Sequence, residues 1–183
     1  MGEFMAGEIY VITTGEYNYF WEECRKRNIA ALMFDRPYFD AWNAGDRDAY
    51  LEIHRHRAPK EAEVAAIRAD STRWFNYGND LAESDNDIFI VRSGYDLFWA
   101  TSLEQDPIFI PHEHPQRKVE VVAIGKPVDG WKQTTAKGSR IQWPLIHAKA
   151  KDYLTPHTAL FRIANEDMRK YLRTMLEGGD LSY

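Results

Sequence analysis

Two short apolar runs, Ile88–Arg92 and Leu97–Leu103, flank the turn Ser93-Gly94-Tyr95-Asp96. β-branched and aromatic runs of this length around a glycine turn predict an antiparallel hairpin. A lone hairpin is marginal in water, so further strands or helices must cover it. Alternation puts Leu97, Trp99 and Thr101 on one face and Phe98 and Ala100 on the other. One of Phe98 and Trp99 therefore faces the interior and the other faces outer helices, and the pattern does not decide which.

Other segments supply the cover. Glu8–Thr13 reads as a first strand ending at the turn Thr13-Thr14-Gly15, and Asn18–Asn28 as a helix with Asn18 as N-cap. Ala30–Phe34 reads as a second short strand. Asp40–Arg57 and Pro59–Asp70 are rich in helix formers, the second with proline in its first turn and Glu61 and Glu63 near its positive end. They read as a helical insertion over about residues 40–70. A short helix over Asn76–Ala82, strands Val119–Ile124 and Ala159–Ile163, and an amphipathic helix Glu166–Glu177 closed by Gly178-Gly179 complete the order. This order predicts an α+β fold, a curved sheet or small β-barrel with outer helices. Strands Tyr10–Thr13, Ile88–Arg92, Leu97–Leu103 and Val119–Ile124 are expected in one sheet.

At 183 residues the chain fits one domain that needs no disulfide or metal to hold a core. Residues 5–183 form that domain in this reading, and Met1-Gly2-Glu3-Phe4 ahead of Met5 reads as a vector remnant. The single cysteine, Cys24, fits a small buried helix residue better than a nucleophile. No apolar run approaches a membrane span and no signal peptide is visible, which predicts a cytoplasmic protein.

The net charge of −5 argues against indiscriminate coating of nucleic acid. The charge is unevenly placed, however. Asp35–Asp106 holds 15 acidic and 8 basic residues, whereas Arg117–Lys151 holds 8 basic residues against Glu120 and Asp129. The second segment suits a phosphate backbone, and it equally suits one solvated face of an acidic protein.

The first strand with Tyr10 and Thr13-Thr14, the helix end Trp21-x-x-Cys24-Arg25-Lys26-Arg27-Asn28-Ile29, Arg73-Trp74, the strands Asp87–Arg92 and Leu97–Ala100, and Arg117–Val121 together resemble EVE-type domains of the PUA-like superfamily, relatives of YTH domains. The likeness spreads over Glu8–Ile163, and the helices between Asp40 and Asp70 depart from the compact form. The resemblance implies a pocket for one flipped, modified base, methylated or hydroxymethylated, as in specificity modules of modification-dependent restriction systems. Modified DNA is the favoured partner over RNA. It implies no cofactor and no enzymatic activity of the domain's own. A nuclease or ATPase would belong to another part of a parent protein.

Within that frame Trp74 is the aromatic wall, although it would serve equally as a core residue, with Phe75 beside it. Asn76 is placed to meet a base edge or to cap a helix. Thr13 and Thr14 are placed to offer hydroxyls or to make an ordinary turn, and Trp99 is the remaining pocket candidate. For the backbone, Arg117, Lys118, Lys132, Lys137 and Arg140 supply charge, and Trp131 and Trp143 interleave with them in a Gly-, Ser- and Thr-rich loop, Gly130–Trp143. The competing reading of that loop is a mobile surface segment.

Catalytic groupings are sparse. His112-Glu113-His114 would put both histidines on one side of a strand, but Pro111 and Pro115 suggest a turn, and no further ligand is apparent. His54 and His56 splay apart on a helix. Asp85 and Asp87 fit a tight turn. Two alternatives to a base reader stand: a nucleotide- or RNA-processing factor on the same barrel, and a protein-interaction module anchored by the Trp-rich loop.

Overall fold

A computed structural model describes residues 7–155 and 158–178. Residues 1–4, read as vector remnant, and Gly179 lie outside them. The fold is α+β, with two sheets rather than one closed barrel. Strands β1 (Ile9–Ile12), β3 (Ile88–Ser93), β4 (Asp96–Thr101) and β7 (Leu160–Arg162) form sheet A in the order β4-β3-β1-β7. Strands β2 (Ile29–Asp35), β5 (Ile108–Glu113) and β6 (Glu120–Pro127) form sheet B in the order β2-β6-β5. The pair β1·β3 is parallel and the other pairs are antiparallel.

The expected hairpin is β3–β4, with Ile90 opposite Trp99 and Val91 opposite Phe98. The expected single sheet is corrected: β6 pairs with β2 and β5, away from the hairpin. The chain nevertheless bends from one sheet toward the other where β6 ends. Val128 bridges Ser102, and Lys132 bridges Trp99 on the outer edge of β4.

Sheet A is buried on both faces, which explains why β1 and β3 read as continuous apolar runs. Tyr10, Ile12, Phe89, Val91, Phe98 and Ala100 face the core shared with sheet B. Ile9, Val11, Ile88, Ile90, Leu97 and Trp99 face a second core. That second core is closed by α5 (Ala148–Tyr153), α6 (Glu166–Arg173) and the π-helical turn Thr174–Gly178. The Phe98/Trp99 question is thereby settled. Phe98 meets Trp21 in the inter-sheet core, 5.0 Å between centroids, and Trp99 points to the C-terminal helices.

The insertion holds three helices, not two: α2 (Arg36–Asn43), α3 (Arg47–Arg57) and α4 (Val64–Ala82). Gly45, at φ 68°, ends α2, and the Asp46 side chain accepts from the Ala49 N–H to start α3. That stop-and-start signal lies inside a stretch whose composition reads as one helix. The helix expected from Pro59 begins instead at Val64 and absorbs the one expected over Asn76–Ala82. The first helix, α1, spans Trp21–Arg27 and not Asn18–Asn28. Asn18 is no N-cap. Its Oδ1 accepts from the Thr14 N–H and hydroxyl, and its Nδ2 donates to the Arg92 carbonyl.

Only His114 stands outside β5, at the start of the turn that follows; His112 and Glu113 lie on the strand itself. Proline is tolerated there because β5 is an edge strand, where the missing N–H need not be paired. The acidic turn does hold Asp87. Its carboxylate accepts from the Ser84 hydroxyl and the Glu8 N–H, and its own N–H donates to the Ser102 hydroxyl.

Gly78 shows how closely α4 meets α2. A Cβ there would lie 2.4 Å from Trp42 Nε1, which is itself bonded to Asn79 Oδ1 at 3.1 Å. Gly78→Ala is therefore expected to destabilise by about 1–3 kcal/mol through overpacking, although alanine in an open helix gains about 1 kcal/mol. A chemical-denaturation midpoint for the variant above that of the parent would contradict this.

Candidate functional site

A cavity of about 460 Å³ opens where the C-terminal ends of β1 and β2 meet the β5–β6 turn and α4. Each wall has a local cause. Thr13 stands one residue past β1, where its N–H donates to the Ala159 carbonyl and fixes the chain before β7. Gly15, at φ 79°, lets the backbone pass against Tyr19; a Cβ would lie 2.4 Å from the Tyr19 ring. Met33 projects from β2, and Trp74 stands on α4 in edge contact with Tyr77 and Phe34. His114 and Arg117 come from the turn after β5.

Of the expected pocket residues, Thr13 and Trp74 meet in this cavity. Thr14 is fully buried in its bonds to Asn18. Phe75, one position after Trp74, turns into the core against Tyr50 under the Arg47 guanidinium. Asn76 is two helical positions from Trp74, hence on the far side of α4, where it accepts from Arg47. Trp99 is buried in the second core and donates to the Thr134 carbonyl. Tyr19, Met33, Glu16 and His114 were missed as wall residues. The i, i+2 spacing of His112 and His114 was the available signal, since both rings lie against Tyr19, at 5.7 and 4.9 Å between centroids.

A second lobe of about 270 Å³ shares Glu16, Met33, Trp74 and Arg117 with the first and continues to Asp35, Tyr38 and His54. Arg117 divides the two, held by paired 2.9 Å bonds to Asp35, and Arg57 adds a third at 2.7 Å. Burial pushes the Asp35 carboxyl up, but its bonds to Arg117 and Arg57 and their charges outweigh this and hold it below the ordinary carboxylate value. A depressed pKa contributes stability in full above the unfolded value, about 3.9, and loses it as pH falls through the folded one. Asp35→Asn is therefore expected to cost about 1–2 kcal/mol at neutral pH, discounted because both arginines are half exposed. The gap in melting temperature between parent and variant should close as pH falls below about 4. A gap independent of pH would contradict it.

Beyond Asp35, Tyr38 on α2, His54 on α3 and Asp70 on α4 are joined in a chain. Asp70 accepts from His54 Nε2 at 2.7 Å, and His54 Nδ1 is hydrogen-bonded to the Tyr38 hydroxyl at 3.0 Å. Burial raises the Tyr38 phenol, which holds it protonated. The chain ties three helices together. His56 points outward to Glu52, as the helical spacing requires. Among the described residues no group of three or more His, Cys, Asp or Glu side chains is placed to hold a metal. Cys24 is fully buried, and burial pushes its thiol up to about 12. Among the described residues no helix is long and apolar enough to cross a membrane.

The Gly130–Trp143 segment is packed rather than loose. Trp131 donates to the Ile29 carbonyl and meets Trp21 edge-on, at the end of β2 opposite the cavity. Lys132 pairs with Asp129 and lies over the Trp99 ring, and Lys137 is exposed in the turn Thr135–Ser139. Lys118 occupies a positive-φ position, 55°, in the turn before β6. Arg140 and Trp143 lie elsewhere, at the β3–β4 hairpin end. Arg140 bonds to Asp96, and Trp143 donates its N–H to the Tyr95 carbonyl and carries the Arg92 guanidinium 3.7 Å above its ring. Lys151 approaches the same ring at 5.7 Å. That end of sheet A is also the end where Thr13 opens the cavity. With strands about 4.8 Å apart, β4 stands roughly 10 Å from β1.

Comparison with family models, with curated proteins and with solved structures finds no match for this chain.

Proposed function

We propose that this domain binds nucleic acid and holds a single extruded, modified base in the cavity between Thr13 and Trp74, as the likeness to EVE-type and PUA-like domains implies. The observation that carries the reading is the cavity itself. It has the size of small-ligand sites, with one indole and one phenol in its wall and polar side chains, Thr13, Glu16, His114 and Arg117 among them, beside these rings. Extruding a base costs a few kcal/mol, and an aromatic face returns about 1–3 kcal/mol per base. A methyl or hydroxymethyl group is then told from hydrogen by packing, for which Met33 offers a deformable apolar surface.

Phosphate contact is assigned to the hairpin end, where Arg92 and Lys151 approach the Trp143 ring and Arg140 pairs with Asp96, on the cavity side of the molecule. Lys132 and Trp131 take structural roles in this reading. Arg92→Ala and Lys151→Ala are each expected to weaken binding of modified and unmodified duplexes alike, by a few-fold, and to flatten the salt dependence, whereas Lys132→Ala leaves both unchanged. The reverse pattern in a salt titration would move the backbone contact to the 130–137 segment. The function itself is tested by fluorescence anisotropy on duplexes of one sequence with a central cytosine, 5-methylcytosine, 5-hydroxymethylcytosine, adenine or N6-methyladenine, each also as RNA. Preference for one modified duplex supports the domain as a DNA reader. Equal binding across the panel rejects it.

Among the described residues, the Tyr38–His54–Asp70 chain is a feature that favours a nucleotide-processing enzyme. The raised phenol makes it a poor source of a nucleophile, and the reader is preferred for that reason.

A further inference from the structure

His114 lines the cavity, and its ring carries a buried polar atom whose state is fixed by its neighbours and which has no hydrogen-bond partner. The His114 side chain is 2 % exposed. Its Nδ1 accepts from the Arg117 N–H at 3.0 Å and the Gln116 N–H at 3.2 Å, while the buried Nε2 has no hydrogen-bond partner. Two donors on Nδ1 put the proton of the neutral ring on Nε2, making that atom a donor before any ligand arrives. Glu16 Oε1 lies 3.8 Å away, too far for a hydrogen bond and drawn also toward Arg117 Nε at 3.5 Å. The Glu16 side chain is 55 % exposed, so it can move aside, whereas His114 is held by its own turn and by the Tyr19 ring at 4.9 Å. A buried donor left unmade is costly, and a ligand atom that satisfies it removes that cost on binding.

We infer that His114 determines the polarity of the edge this cavity accepts: the occupant is a planar heterocycle that presents a hydrogen-bond acceptor, a carbonyl oxygen or an unprotonated ring nitrogen, to Nε2–H. The inference rests on the base-binding reading above and adds to it the chemistry of the recognised edge. A ring that turns an amino group toward His114 sets donor against donor and leaves both unsatisfied inside the cavity. Discrimination of this kind exceeds what an apolar wall supplies, because a site built around a hydrogen bond rejects the analogue that cannot make it. Trp74 then fixes the plane of the ring, and His114 fixes which edge points inward.

The test separates the two ends of the imidazole. In His114→Asn the side-chain oxygen replaces Nδ1 as acceptor for the turn and no donor remains at the Nε2 position; His114→Gln places an amide N–H near that position. On the duplex panel above, His114→Asn is expected to weaken binding of the preferred modified duplex about 10-fold with unmodified DNA unaffected, while His114→Gln stays within about 3-fold of the parent. Full preference retained by a folded His114→Asn overturns the inference and leaves the reader standing. A parent protein that prefers no modified probe overturns both. Should the variants not fold, the ¹⁵N shifts of the parent's histidine decide: Nδ1 unprotonated and Nε2–H moving downfield with the preferred duplex supports the inference, and an Nδ1–H tautomer overturns it.

Discussion

Trp74→Ala is expected to erase the preference for a modified base, a loss of about 5- to 150-fold on the preferred duplex, while binding of the unmodified duplex persists. The range follows from stacking worth about 1–3 kcal/mol per base. The two effects separate because Trp74 lies in the cavity wall on α4, whereas Arg92, Arg140 and Lys151 lie at the hairpin end of sheet A. The variant should fold, since Trp74 is only half-buried and makes edge contacts with Tyr77 and Phe34 at the margin of the core. Equilibrium binding of parent and variant to the same pair of duplexes checks this. An unchanged ratio would remove Trp74 from the site.

Phe89→Ala is expected to cost about 3–5 kcal/mol, the largest stability effect of any substitution considered. Phe89 is fully buried on the central strand β3 and stacks on Tyr10 of β1 at 5.4 Å, on the face that sheet A turns toward sheet B. The cavity opens at the end of this same interface. Removing the ring leaves a void that two sheets, each tied by backbone bonds, cannot collapse to fill. Urea denaturation gives the value directly. A cost below about 1 kcal/mol would mean that the sheets do not share one rigid core.

These energetics explain how much of the molecule was legible in its sequence. The hairpin, β1, β2 and the C-terminal helix announce themselves through short apolar runs, a glycine turn and helical periodicity. The partition of strands between two sheets does not, because β6 is apolar on both faces and would suit either; its pairing is decided by β2, whose register from Ile29 opposite Pro127 to Asp35 opposite Val121 is a long-range outcome. Edge strand β5 was hidden by Pro111, whose cost vanishes only once its N–H side faces outward. In the candidate site, Thr13 and Trp74, named from the resemblance, both line the same cavity. Asn76 and Phe75 were drawn in by closeness in sequence, which a helix converts into different directions. The two loop tryptophans looked like surface anchors because their partners, Trp21 and the Ile29 carbonyl for one and Arg92 and Tyr95 for the other, lie far away in the chain. His114 became visible only through the bonds to its Nδ1, which depend on how the turn after β5 closes.

The central claim, that one base leaves its stack and enters the cavity beside Trp74, is tested most directly with 2-aminopurine placed opposite the modified base, where its emission rises once its partner is extruded and its stacking is disturbed. The account predicts a rise on adding the parent protein to the preferred modified duplex, a much smaller rise with the unmodified duplex at equal saturation, and none with Trp74→Ala. Saturated binding of the modified duplex with no change in emission would contradict it.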